Sequence, residues 1–319
     1  MNIAFIGPGI MPIPPTGWGA VEMMIWDYAT VLGDMGHTGA IINTPDRSEI
    51  INELKEQSFD IVHLHYDVFH DIIPQILDTI SGKLIVSSHY PYINHRNMWA
   101  NDRYNAIANT YSNNKDFYIF SSSQKDIDTF VGLGADPDHC WLSRLGVFAD
   151  SYEFDEEASY NRTLSFSQIC DRKRQYIIQD FEDVDFIGRM EYGKFNNRTN
   201  YRGEMPREKL NNEITKYSNF VLLSSFENTT PLVVKEALIC GLGVVVSEEV
   251  SVELDTTLNF VDVILEDKIE DLSYINDILH KNKEYSIKNR KEIREYGIKT
   301  FGLENILEFE YIPKLQSLV

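Results

Sequence analysis

The sequence predicts an α/β protein of two doubly wound parallel-sheet domains, and three observations predict it. Short β-rich apolar runs alternate with helix-patterned segments up to about Gly146. The alternation then lapses over an acidic stretch without period, Ala149-Asp150-Ser151-Tyr152-Glu153-Phe154-Asp155-Glu156-Glu157, and a second alternating series follows. Alternation of this kind implies βαβ units and therefore parallel strands. At 319 residues the chain is long enough for two cores, each of about 150 residues.

The first domain is expected over residues 1–150. Its strands are predicted at Ile3–Ile6, Gly39–Asn43, Ile61–Leu64, Leu84–Ser88, Phe117–Ser121 and Trp141–Leu145, with a first helix from about Val21 to Met35. The second domain is expected over 151–302, with strands at Thr163–Gln168, Val184–Ile187, Asn200–Gly203, Asn219–Leu223, Gly243–Ser247 and Val261–Leu265. Helical sequence from about Tyr274 to Leu318 closes the chain, with a break at Phe301-Gly302, and residues 303–319 are expected to return to the first domain. No solenoid-length repeat or low-complexity tract interrupts this pattern.

Composition narrows the class. The chain is 43% apolar and 24% charged, a globular composition. Its amino terminus lacks a basic n-region and no apolar run approaches the roughly 20 residues of a membrane span, so a soluble, cytoplasmic protein is expected. Cys140, Cys170 and Cys240 are odd in number and widely spaced, unlike a disulfide framework or a CxxC metal site. With 49 acidic against 29 basic residues the net charge is −20, which repels polyanions and argues against nonspecific nucleic-acid binding.

In open α/β sheets ligands bind beyond the carboxyl ends of the strands, so chemistry is sought in the loops there. After the first strand, Gly17 and Gly19 precede a helix and would let backbone N–H groups approach a ligand, although a simple turn explains them equally well. The third glycine of a dinucleotide fingerprint is missing. His63 and His65 alternate on a strand end with Asp67 nearby; they read as polar residues at the strand mouth, because no further ligands complete a metal set. His89 follows Leu84–Ser88, where a catalytic or substrate-orienting group belongs. Asp136-Pro137-Asp138 and Asp183-Val184-Asp185 fit a metal-chelating DxD pattern and are read as structural.

The most informative stretch is Ser224-Ser225-Phe226-Glu227-Asn228-Thr229-Thr230-Pro231-Leu232-Val233-Val234-Lys235-Glu236-Ala237-Leu238. Thr229 or Thr230 is expected as helix N-cap with Pro231 in first helical position. The positive helix end would meet a phosphate, and Glu236, one to two turns in, could accept from sugar hydroxyls. A capped helix after a strand in any αβ unit would look much the same.

Together these residues resemble the retaining glycosyltransferases of family 4. Gly17-Trp18-Gly19-Ala20-Val21-Glu22, with Trp26 and Gly36-His37, is similar to the family's amino-terminal glycine loop and helix. Asp60-Ile61-Val62-His63-Leu64-His65 is similar to its D-V-V-H-x-H strand, and Ser121-Ser122-Ser123-Gln124 to its serine motif. Phe166-Ser167-Gln168-Ile169-Cys170-Asp171-Arg172-Lys173 is similar to the segment carrying an Arg and, five residues on, a Lys to the donor diphosphate. Gln168 stands at the Arg position, so Arg172 or Arg174 must substitute. Glu227 and Glu236 are separated by eight intervening residues where the family has seven.

The resemblance implies the GT-B architecture: two facing Rossmann-like domains with a cleft between, acceptor side first and donor side second. It also implies transfer of a sugar, with retention, from a nucleotide-diphosphate sugar to a hydroxyl acceptor, with no metal and no tightly bound cofactor. Implied catalytic residues are His89, Glu227 and Lys173. Implied donor-binding residues are Gly17, Gly19, Arg172, Lys173, Arg174, Thr230, Leu232 and Glu236. Tyr90, Tyr92, His95, Arg96 and Trp99 are expected to shape acceptor specificity. The rival readings are a nucleotide-sugar epimerase of the same fold, an inactive sugar-nucleotide-binding module, and, for the acceptor, a modified base in DNA.

Overall fold

The structure is a computed structural model and describes residues 1–17, 19–89, 93–96, 102–191 and 193–319. Trp18, Tyr90, Tyr92 and Trp99 lie outside the described residues. Two compact units emerge, Met1–Leu145 joined by Leu303–Val319, and Gly146–Gly302.

The first unit holds six parallel strands, β1 (Asn2–Ile6), β2 (Thr38–Ile42), β3 (Ile61–Leu64), β4 (Lys83–Ser88), β5 (Tyr118–Ser121) and β6 (Cys140–Leu142), in the order β2-β1-β3-β4-β5-β6. Its helices are α1 (Ala20–Asp34), α2 (Arg47–Glu56), α3 (Ile73–Thr79), α4 (Arg103–Tyr111) and α5 (Gln124–Gly132). β3 reads IVHL and is buried throughout, as a central strand covered on both faces must be. Asp46 caps α2 by accepting from Ser48 and Glu49 N–H, and Ser123 caps α5 through Asp126 N–H.

The second unit holds five parallel strands, β7 (Thr163–Phe166), β8 (Val184–Ile187), β9 (Asn219–Leu222), β10 (Gly243–Ser247) and β11 (Val261–Ile264), in the order β11-β10-β9-β7-β8. Around it run α6 (Arg207–Ile214), α7 (Leu232–Ile239), α8 (Leu272–Lys288) and α9 (Arg290–Phe301). Gly297 lets α9 lie against α7, since a Cβ there would come within 2.8 Å of Ile239 N. Buried Arg290 stitches the region together by donating to the carbonyls of Tyr217, Thr215 and Asp155. These bonds satisfy a cation that burial would otherwise penalise heavily.

The strand expected at Asn200–Gly203 is instead a single parallel bridge, Tyr201 beside Phe186. Asn197 turns the chain by accepting from Thr199 and Asn200 N–H, and Gly203 leaves the extended region at φ 83, so too few residues remain for a ladder. The closing helical sequence is broken at Asn289 as well as at Gly302. After Gly302 the chain forms α10 (Leu303–Ile306), a π-helical turn over Leu307–Tyr311 and α11 (Ile312–Gln316) within the first unit. There the Tyr311 hydroxyl reaches His63 Nδ1 at 2.7 Å and Arg144 Nε donates to Glu310 at 3.0 Å. No helix among the described residues is long and apolar enough to cross a membrane.

Candidate active site

The order of strands in the second unit fixes where a ligand site belongs. The chain leaves β7 for β8 on one side and returns to β9 on the other, so the carboxyl ends of β7 and β9 flank a topological switch point. Two loops converge there. The loop after β7 carries Arg172, Lys173 and Arg174; the loop after β9 carries Ser224 to Glu227. They are tied by Ser225, whose N–H and hydroxyl both donate to Arg172 O, at 2.9 and 3.1 Å.

Glu227 is the hub. Its Oε1 accepts from Arg172 Nη1, Lys173 Nζ and Ser224 Oγ, each at 2.6 Å. Burial pushes the Glu227 carboxyl up, but Lys173 and Arg172 outweigh it and hold the group below its usual value. Burial pulls the Lys173 ammonium down, and Glu227 only partly restores it. A charged pair removed from water in this way is stable only with such mutual bonding.

Arg174 is paired differently: its φ is 56, and its guanidinium makes a two-pronged pair with Glu266 at 2.8 and 2.9 Å. Of the two candidate substitutes for the missing cation, Arg172 is the one beside Lys173. Gln168, where the family pattern has Arg, donates to Glu191 at 2.5 Å and adds no charge.

The start of α7 differs from expectation. Neither Thr229 nor Thr230 caps it; Pro231 holds the N-cap position and Leu232 is the first helical residue. Thr230 is buried and spends its hydroxyl on Val250 O, at 2.8 Å, and on Glu253 N–H, at 3.1 Å. These bonds anchor the loop before α7 to the segment after β10 and occupy the Thr230 hydroxyl within the fold. Phe226, at φ 56, turns its N–H and that of Glu227 onto the Glu249 carboxylate. Glu236 is buried on α7, with Oε1 on Arg207 and Oε2 without a partner. Arg207 and Glu249 carry no signal in the sequence, because neither belongs to a motif.

The first unit shows a different chemistry at the corresponding strand ends. His63 and Ser87, on adjacent strands β3 and β4, hydrogen-bond at 2.7 Å. His65 Nδ1 meets His89 Nε2 at 3.1 Å, and their rings stack with centroids 5.4 Å apart. Burial pulls all three imidazoles below their usual value, His89 to about 4. A cavity of about 10 Å³ lies against His63, His65, His89 and Ser87. Burial pushes Asp67, against a hydrogen bond from Ser88, up to about 7.

Gly19 is the N-cap of α1 at φ 135, where a Cβ would lie 2.8 Å from Met11 Cε and 3.1 Å from Glu22 Oε2. Gly17 sits in the bend just before it. Arg96 donates to Ile93 O. Both DxD patterns make contacts within the fold. Asp185 pairs with Arg162 and Arg202, Asp183 with Lys283, and Asp136 caps a short turn. No cluster of His, Cys, Asp or Glu that could hold a metal ion occurs among the described residues.

No protein-family model matches the chain, and no curated protein matches it by sequence. Solved structures do. HepE of Anabaena, in complex with UDP-glucose, superposes with a TM-score of 0.74 over 100% of both chains at 13% identity. Sucrose-phosphate synthase from Thermosynechococcus elongatus gives 0.75 over 99% of both chains at 12% identity. The fold is that of the GT-B glycosyltransferases. AviGT4, a glycosyltransferase of avilamycin A biosynthesis, shares the GT-B fold with this chain at a TM-score of 0.67 and 14% identity, over 99% of this chain and 97% of its own.

Proposed function

We propose that the protein is a retaining, family 4-type glycosyltransferase that moves a sugar from a nucleotide-diphosphate sugar to a hydroxyl acceptor. The observation that carries this reading is the Arg172–Lys173–Glu227–Ser224 cluster at the switch point of the second sheet. Two adjacent cations there suit a diphosphate, whose charge grows as it leaves, and preorganised cations stabilise such charge without reorganisation. The neighbouring structure of HepE was solved with UDP-glucose, which makes a UDP-sugar the first donor to try.

In this reading the second unit is the donor domain and the first the acceptor side. Lys173 and Arg172 bind the diphosphate, in exchange with Glu227 Oε1. Glu227 Oε2 then remains for a hydroxyl of the donor sugar, and Glu236 for the ribose. Backbone N–H groups near Leu232, at the start of α7, supply the helix dipole to a phosphate. His89, held neutral at physiological pH, donates or accepts a hydrogen bond with the transferring sugar, and Gly17 and Gly19 admit substrate close to the backbone. Positioning and cationic side chains supply the stabilisation, so the reaction is read as metal-independent. The cysteines are all free thiols, in keeping with a reducing, cytoplasmic setting.

The test is a thermal-shift panel of UDP, GDP, ADP, dTDP and CDP and their common sugars, with and without EDTA, since a ligand of the folded state must stabilise it. An EDTA-insensitive shift with one nucleotide, followed by sugar transfer with the donor's anomeric configuration kept, is the expected result. A new epimer formed from donor alone would convict the epimerase reading; a shift without turnover, the inactive module.

A further inference from the structure

We propose that Arg207 is a positioning residue for Glu236: it occupies one carboxylate oxygen, leaving a single buried oxygen for a ribose hydroxyl. The inference rests on the reading of the second unit as the nucleotide-sugar donor domain. Arg207 opens α6 directly after Pro206, and its Nη2 donates to Glu236 Oε1 at 2.5 Å and to the Tyr152 hydroxyl. The guanidinium carbon also lies 5.4 Å from the centre of the Tyr152 ring. A planar guanidinium fixed at both a ring and a hydroxyl holds its carboxylate partner in one orientation, which a flexible lysine would not.

Glu236 is 4% exposed and Tyr152 6% exposed, so the group is set into the domain, not spread over its surface. The other oxygen, Glu236 Oε2, is buried and has no hydrogen-bond partner. A buried carboxylate oxygen without a donor is costly, and a hydroxyl group is the neutral donor that would relieve it. With Oε1 bound to Arg207 the carboxylate is held in one orientation, and Oε2 is the oxygen left for a hydroxyl. Selection of a ribose over a deoxygenated sugar ring therefore depends on Arg207, although Arg207 itself need not touch the nucleotide.

The experiment is calorimetric titration of the full-length chain with UDP, GDP, ADP and CDP, continued with the tightest of them and its 2′,3′-dideoxy analogue. Wild type is expected to prefer the ribonucleotide about tenfold, the scale of one charge-assisted hydrogen bond. Arg207→Gln is expected to weaken the ribonucleotide by about that factor and leave the dideoxy analogue unchanged, with Arg207→Lys in between. Tyr152→Phe, which keeps the ring and removes only the hydroxyl, is expected to show the same selective loss at about threefold; it also decides the matter if Arg207→Gln does not fold. Equal weakening of both ligands, or no weakening of the ribonucleotide, overturns the proposal and leaves the donor-domain reading standing. Failure of wild type to bind any of the four overturns both.

Discussion

The two units carry the same architecture and opposite electrostatics at their strand ends. In the first unit the three histidines at the ends of β3 and β4 are kept deprotonated by burial: His65 bonds to His89, and His63 to Ser87 and Tyr311. In the second, the groups beyond β7 and β9 are ionic, with Arg172 and Lys173 sharing one carboxylate oxygen of Glu227. The difference shows what parallel-sheet topology leaves open. It fixes where a site forms, while the loop residues decide whether that site handles hydrogen bonds or charge.

The comparison breaks most readily on the ionic side. Lys173→Ala is expected to lower kcat/KM for the donor by ~100-fold or more, the usual cost of losing a preorganised charge-stabilising group. A variant retaining near-normal turnover in steady-state assays would show that the charged cluster is structural.

Acid titration sharpens the contrast next. The histidines have folded pKa values below their unfolded value of about 6.5, so the native state binds fewer protons. The stability they contribute is present above that value and lost as pH falls from about 6.5 towards 4, on the order of 2–3 kcal/mol for His89 alone. Asp67 opposes this: its folded pKa is raised to about 7, so its penalty fades as pH falls through that value. Asp67→Asn is therefore expected to steepen the acid decline. Glu227, held below its usual value, loses its stabilising contribution only at lower pH, beneath the ordinary carboxylate range. Unfolding free energies from pH 8 to 4, read with probes in each unit, should show the first unit weakening before the second; simultaneous weakening would erase the distinction.

Tyr311→Phe is a smaller perturbation. It removes the hydroxyl that satisfies His63 Nδ1 and is expected to cost about 1–2 kcal/mol in denaturant unfolding. Smallest of all, Arg174→Ala breaks a pair whose Glu266 partner is exposed. It should cost under about 1 kcal/mol and leave nucleotide affinity unchanged. A clear loss of affinity would return Arg174 to the site in place of Arg172.

Much of the fold was legible because its signals are local. β10 reads Gly-Val-Val-Val-Ser and is buried throughout, the continuous apolar run of a parallel strand covered on both faces. Asn200–Gly203 carries too little of that signal, and the Asn197 turn outcompeted a strand. α7 starts one residue beyond the expected Pro231 because Thr230, a good cap by type, has a better use on Val250 and Glu253. Arg207 and Tyr311 stayed invisible because their partners lie 29 and 248 positions away.

By itself, then, the sequence determined the alternating elements, the place of the break between the two series and the residue types at the strand ends, since each is written in neighbours that meet whatever the chain does elsewhere. Only the tertiary structure decided which of those residues act on one another. Glu227 could have faced solvent or a different cation; β7 and β9 lying side by side put two cations on one of its oxygens. Arg172 rather than Arg174 joined Lys173 because Glu266, brought in by β11, pairs with Arg174. Such pairings depend on strand order, and strand order is set by the packing of whole βαβ units, which no short window of residues encodes.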